Sequence, residues 1–281
     1  MDLPHPQIGP AAQQCFIRRV RCFPGPDWTG HSGTEWSCPI ARSGGQSGAV
    51  VMYFQHAKDI WTDYPALAAG AVFVDGISPD APVEQQLVRY GSIAQNRLAV
   101  RPESELPEIQ AWRRTYARLG LKPTQYRCAA ESLLRRFRKE GALPRIHPLV
   151  DLCNALSLAY AIPVAAIDAS KVAQWLEVRY ADGDEEYLTF SGETEHPQAG
   201  EVTFVDAVGR SHARRWTNRQ SGYSAVQDTT TTALIVVEAL HETAADDVAA
   251  LTAALAHELG EVWSVTPKAQ LLTDARPRFE F

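Results

Sequence analysis

No apolar run in this sequence approaches the ~20 residues that cross a bilayer. Its start, MDLPHPQIGP, lacks the basic-then-apolar pattern of a secretory signal. No G-x-G-x-x-G and no G-K-[ST] loop occurs, which removes the sequence case for a dinucleotide or P-loop nucleotide site. Cysteine is scarce. Cys15, Cys22, Cys38, Cys128 and Cys153 are odd in number and have no C-x-x-C spacing, which argues against a disulfide framework and a zinc site, although three of them crowd the first 38 residues. His241-Glu242 and His257-Glu258 each lack the second histidine of H-E-x-x-H and read as solvent-facing polar residues. Ser47 and Ser224 lack the second glycine of a nucleophile elbow. A basic balance is missing too: 27 Lys and Arg stand against 33 Asp and Glu, a net charge of −6, so the chain as a whole is no basic nucleic-acid binder. The expectation is a soluble, cytoplasmic protein without metal or nucleotide cofactor.

What is present is globular. At about 150 residues per domain, 281 residues allow one large domain or two small ones, and 45% hydrophobic with 21% charged residues is an ordinary core-forming composition. Residues 1–47 are rich in Gly, Pro and Ser without periodicity and read as a poorly ordered arm. Residues 48–263 read as one domain, and residues 264–281 as a C-terminal tail. Within the domain, AVVMYF and AGAVFVDGI read as buried strands around a short helix or turn. Pro107–Gly120, Thr124–Gly141 and LVDLCNALSLAYAI read as helices, with Gly141 as a helix stop. LEVRYA and EEYLTF alternate around Asp182-Gly183 like a hairpin. EVTFVDA, HARRWT and ALIVVEAL follow as strands. Thr243 and Asp246 form a T-x-x-D capping box before an apolar stripe of Val248, Leu251, Leu255, Leu259 and Val262. The fold class is therefore α/β in the α+β sense, with a mixed, mostly antiparallel sheet flanked by helices.

Charge is segregated. Residues 113–145 carry ten basic residues and two acidic ones, Glu131 and Glu140, while residues 181–209 carry eight acidic residues and no Lys or Arg. The basic cluster reads either as a solvated helical face or as a local phosphate-binding surface.

A set of blocks carries more specific information: LLRRFRKEGALPRIHPLVDLCNALSLAYAIPVAAIDAS, EVRYADGDEEYLTFSG, GEVTFVDAVG, RRWTNRQSGYSAV and DTTTTALIVVEA. In this order they resemble the B3/B4 domain of the phenylalanyl-tRNA synthetase beta subunit, here freestanding. The resemblance covers roughly Trp112 to Ala239, and the preceding W-x3-Y-x2-LG-x-KP run is similar to the freestanding branch of that family. In the synthetase this domain edits: it hydrolyses the ester of tRNA charged with tyrosine in error. The resemblance thus implies an α/β domain whose cleft admits an aminoacyl-adenosine end. Two departures bear on specificity. The family's pocket histidine corresponds to Ala165, and the small pair that shapes the tyrosine pocket corresponds to Trp216-Thr217, so a smaller or different amino acid is expected.

By this resemblance Glu238 falls on the glutamate lining the editing pocket, Asn154 on the asparagine of the DVTN block and Asp168 on the aspartate of the HAFD block. Ester hydrolysis needs a positioned water, a polarised carbonyl and a held tRNA end. Glu238, at the end of a Val-rich strand, is the candidate general base, or else an ordinary carboxylate paired with an arginine. Arg215 and Arg219 are candidates for the terminal phosphate or the carbonyl, or form salt bridges to the acidic 181–209 segment. Trp216 stacks on the adenine, floors the pocket or is core. Thr217 and Thr229–Thr232 offer hydroxyls to a water, with Asp228 and Thr229 alternatively capping or terminating a strand. Arg135, Arg136 and Arg138 are the candidate tRNA contacts. The expected activity is trans-editing deacylation with tRNA as partner, without membrane or DNA. The alternatives are a non-catalytic module for the tRNA or aminoacyl end, and a binder of free amino acids. Assistance from the substrate's own ribose hydroxyl is a further route, because no second general base is evident.

Overall fold

The computed structural model describes residues 51–281. The expected arm over residues 1–47, and with it Cys15, Cys22 and Cys38, lies outside the described residues. The described residues open with β1 (Tyr53–His56), α1 (Lys58–Asp63) and β2 (Ala68–Asp75), then α2 (Glu84–Val100). Three helices follow: α3 (Pro107–Arg118), α4 (Ala129–Glu140) and α5 (Pro148–Tyr160). Eight strands come next: β3 (Val164–Asp168), β4 (Trp175–Tyr180), β5 (Tyr187–Leu188), β6 (Thr194–Glu195), β7 (Val202–Asp206), β8 (Ser211–Arg214), β9 (Arg219–Gln220) and β10 (Thr232–Ala239). The chain closes with α6 (Ala244–Trp263), β11 (Lys268–Leu272) and β12 (Arg278–Glu280). The α+β class is what the sequence predicts, and no described helix is long and apolar enough to cross a membrane.

Two sheets stack. One runs β12-β1-β4-β7-β8-β9, the other β11-β2-β10-β3, and β5-β6 form a separate ribbon. The β1–β4 pair is parallel and the other strand pairs are antiparallel. Period-two geometry splits β10 between two apolar layers. Leu234 and Val236 face the six-stranded sheet and meet Phe54, Leu176, Val178 and Phe204. Ala233, Ile235 and Val237 face the helices and meet Leu152 and Leu156 of α5 and Leu251 and Leu255 of α6. Burial on both faces explains why this strand reads as an unbroken apolar run. The same alternation sends Glu238 into the layer between the sheets. Helix α6 lies close enough to β2 that a Cβ on Gly70 would collide with the Thr252 hydroxyl.

Several expectations change. Residues 264–281 are not a tail: β11 pairs with β2 and β12 with β1, so the segment supplies an edge strand to each sheet. Asp182-Gly183 does not join a hairpin, because β4 pairs with β1 and β7 instead. The turn is closed by Glu185, whose carboxylate accepts from the backbone N–H groups of Asp182 and Gly183 and pairs with Arg179. The capping box is absent: Thr243 Oγ1 donates to Asp247 Oδ2 at 2.6 Å rather than capping the backbone. Helix α4 begins at Ala129, not Thr124, with Cys128 Sγ accepting from Glu131 N. Its Gly141 end has the left-handed backbone the sequence implies. Helix α2 escapes sequence reasoning because only Tyr90 and Ala94 of its 17 residues are buried, too few for an apolar stripe. Glu258 and His241 are not solvent-facing. Glu258 is held by Tyr90 and Arg89, and His241 bonds Asp247 at 2.8 Å.

Candidate functional site

Glu238 lies in a closed layer. After β8 the chain turns through Arg215 and Trp216, both left-handed with φ of 48° and 58°, and the turn directs the Trp216 indole inward. The indole is fully buried, edge-on to Tyr64 at 4.9 Å and to Trp112 at 5.1 Å. Its Nε1 donates to Glu238 Oε1 at 2.7 Å, and His56 Nε2 on β1 approaches the same oxygen at 2.7 Å. Glu238 is 2% exposed. A general base must come within hydrogen-bond reach of the water it activates, and this carboxyl is enclosed by protein. The structure thus brings Glu238 and Trp216 together as a buried polar contact, and Trp216 is core rather than an open stacking face.

The other predicted residues separate. Arg215 leaves the layer: its guanidinium lies over Tyr126 at 4.9 Å, and its backbone N–H bonds Glu201. Arg219 pairs with Glu195 at 3.1 Å, and the unpredicted Arg214 binds both Glu195 and Glu201, so the acidic 181–209 segment takes up this basic strand. Thr217 Oγ1 is 3.1 Å from the Tyr116 hydroxyl. Asp168 accepts from Ser170 N, Ser170 Oγ and Thr230 Oγ1, which fixes the turn after β3. Of the threonine run, Thr230 is the buried member and serves that turn.

Asn154 leads elsewhere. It lines a cleft of about 1020 Å³ walled by residues 79–82, the start of α5, Val164 and Ala166 of β3, Phe190, Gln220 and Val226. That volume suits a ligand larger than a free amino acid. Asn154 is the one predicted binding residue that reaches the cleft. Neither Glu238 nor Trp216 lines it.

His147, which sequence reasoning missed, lines it as well. It is the N-cap of α5, ahead of Pro148, which has no N–H of its own. Its Nδ1 accepts from Leu149 N at 3.1 Å, and its Nε2 is buried without a partner among the described residues. Burial lowers its pKa below the usual histidine value, against opposing pulls from Asp228 and Asp151. Arg145 at the rim pairs with Asp151 at 2.7 Å and Glu84 at 3.1 Å. Cys153 on the cleft wall is no nucleophile, because burial pushes its thiol up to about 12. The cleft therefore sets Asn154 and His147 beside apolar walls, with the carboxylates of Asp80, Glu84 and Asp151 and the Arg145 guanidinium also in its lining.

The basic cluster is less bare than its sequence suggests. Glu103, buried and just before α3, takes Arg138 at 3.0 Å and Arg135 at 3.9 Å. Glu131 takes Arg113 and Arg127, and Arg136 pairs with Glu140 at 2.8 Å. Arg114, Arg118, Lys122 and Lys139 have no carboxylate partner among the described residues, and Arg118 bonds the Asp63 carbonyl while stacking on Tyr64. The surface remains basic, with Arg135 58% and Arg138 48% exposed at the side chain.

The family model of the B3/4 domain matches residues 111–253, about half the chain, from α3 into α6. The chain belongs to the B3/4 domain family. The match leaves out β1, β2, β11 and β12, so this B3/4 domain sits between flanking segments that complete both of its sheets. His56 comes from one of those segments. Among curated proteins, the chain is similar to the phenylalanine--tRNA ligase beta subunits of Coxiella burnetii, 40% identical over 63 residues, and of Haemophilus influenzae, 36% over 64 residues. Those alignments take in 22% and 23% of this chain and 8% of each relative's length. Among solved structures, an N-terminal fragment of the phenylalanyl-tRNA synthetase beta subunit from Pyrococcus horikoshii aligns at 8% identity with a TM-score of 0.42, over 77% of this chain and 50% of that one.

Proposed function

We propose that this protein is a freestanding deacylase that takes the aminoacyl end of a tRNA into the cleft at the start of α5 and hydrolyses the ester of a wrongly attached amino acid. The observation that carries the reading is the cleft itself. In a B3/4 domain, Asn154 and the donor-bearing His147 stand beside apolar walls from Val150, Val164, Ala166 and Val226, in a volume that accommodates an aminoacyl-adenosine. Water adds to the ester carbonyl carbon, the bond from that carbon to the ribose oxygen breaks, and the ribose oxygen leaves as a hydroxyl carrying the proton. Glu238 is enclosed, so in this reading the neighbouring ribose hydroxyl of the substrate relays the proton. This activity belongs with translation in the cytoplasm.

The test is single-turnover deacylation across a panel of mischarged tRNAs. Among the described residues Asn154 bonds no other side chain of the cleft, so Asn154→Ala should fold normally and lower kcat/KM about tenfold or more on the preferred member. Release of no amino acid faster than in buffer would refute hydrolysis. One observation favours a second reading, a non-catalytic module that holds the aminoacyl end: Glu238 is committed to Trp216 and His56. Tight binding of charged tRNA without turnover would select it.

Arg135, Arg136 and Arg138 are proposed to meet tRNA phosphates. Each phosphate that the protein no longer neutralises should lower the slope of log affinity against log salt by about 1. A variant with all three changed to alanine should therefore bind tRNA more weakly, with a visibly shallower slope in filter-binding titrations. An unchanged slope would move the tRNA face elsewhere.

A further inference from the structure

We infer that His147 holds the ligand's acyl oxygen in the cleft, donating from Nε2–H to an ester carbonyl in preference to a free carboxylate. This rests on the reading of the cleft as an aminoacyl-end site, and it goes further by naming the contact and what it selects.

The first ground is the tautomer. A neutral imidazole has one donor and one acceptor nitrogen. Nδ1 accepts the Leu149 N–H at 3.1 Å, so the proton of the neutral ring resides on Nε2. The assignment follows from backbone geometry, because Leu149 N is the first N–H of the helix after Pro148. The second ground is an unmet donor: His147 is 2% exposed, yet Nε2 meets no acceptor among the described residues. A buried donor left unmade is costly, and such groups recur where a ligand supplies the partner. Nε2 lies across the ring from the helix end that holds Nδ1, and His147 is one of the residues that line the cleft.

The third ground concerns charge. Asp80, Glu84 and Asp151 line the same cleft against one cation, Arg145, which already pairs with two of them. A surplus of negative charge disfavours a carboxylate and favours the α-ammonium of an aminoacyl ester. A neutral donor in these surroundings suits a carbonyl oxygen. The product amino acid, which gains a carboxylate on hydrolysis, is held less well than the ester and leaves.

The experiment uses the full chain with stable amide mimics of the charged end, a panel of 3′-(L-aminoacyl)amino-3′-deoxyadenosines, and the matching free amino acids in parallel. Calorimetry gives affinity, and the Nε2–H signal in 15N-histidine-labelled protein reports on the ring. His147→Asn separates the two roles of the residue, because asparagine caps a helix well but cannot place the second donor. The expected result is that the mimics bind more tightly than free amino acids, shift the His147 signal, and bind about tenfold more weakly to His147→Asn at unchanged melting temperature. Mimic binding with an unmoved signal and unchanged affinity for His147→Asn would overturn the His147 contact while leaving the aminoacyl-end reading intact. Binding of free amino acids alone, with the signal shifting, would overturn both the carbonyl preference and the aminoacyl-end reading. Binding of neither set would overturn the inference and that reading together.

Discussion

Glu238→Ala is expected to cost about 3–5 kcal/mol of folding stability, read as a lowered urea midpoint. The carboxyl oxygen of Glu238 is the shared partner of Trp216 Nε1 and His56 Nε2 in a layer where neither meets solvent. Alanine leaves both nitrogens without that partner, and water has no open route to replace it. Glu238→Gln keeps the shape and one acceptor oxygen, so it should cost about 1–2 kcal/mol, since one of its two terminal atoms becomes a donor beside other donors. Both variants should still deacylate at the rate set by the cleft once the folded fraction is accounted for. The opposite pattern, a Glu238→Ala protein of wild-type midpoint that has lost turnover, would return the carboxyl to the chemistry.

The second large effect is at Trp216. Truncating a buried Trp costs about 3–5 kcal/mol through lost transfer energy and the cavity left behind, and Trp216 also gives up its bond to Glu238. Here the backbone adds a distinguishing feature. Trp216 sits at φ 58°, a region that costs an L-residue roughly 1 kcal/mol or more and costs glycine little. Trp216→Gly should therefore be no less stable than Trp216→Ala, although it removes one more carbon. Exogenous indole should raise the melting temperature of either variant by refilling the space between Tyr64 and Trp112. If alanine proves clearly better than glycine, the turn is not held in the left-handed conformation.

Trp216 also shows how far sequence reasoning reaches. By the sequence resemblance its position corresponds roughly to a small pair of the editing domain, and a bulky indole there leads to the expectation of a reshaped pocket. The structure shows a fuller result: the indole occupies the layer and bonds the glutamate. No local pattern could have shown that His56 shares the contact, because it arrives on β1, 182 residues earlier. His147 was hidden for a different reason. Histidine is not a residue type that signals an N-cap, and only the hydrogen bonding of its two nitrogens reveals a spare donor.

The basic cluster misleads in a related way. Counting charges within 113–145 omits Glu103, Glu84 and Asp151, which reach Arg135, Arg138 and Arg145 from neighbouring elements. The C-terminal strands escape sequence reasoning because β11 and β12 are edge strands, mostly exposed, and carry no apolar alternation strong enough to register.

The α+β class, the main helices and strands from α3 to α6, and the ordered blocks of a B3/4 domain are legible in the chain alone. These rest on periodicities and motifs that are local in the chain. That Glu238 is sealed while Asn154 opens onto a cleft emerges from the packed fold. The two faces of β10 and its neighbours lead to different layers, and which layer is closed depends on packing between residues far apart in sequence.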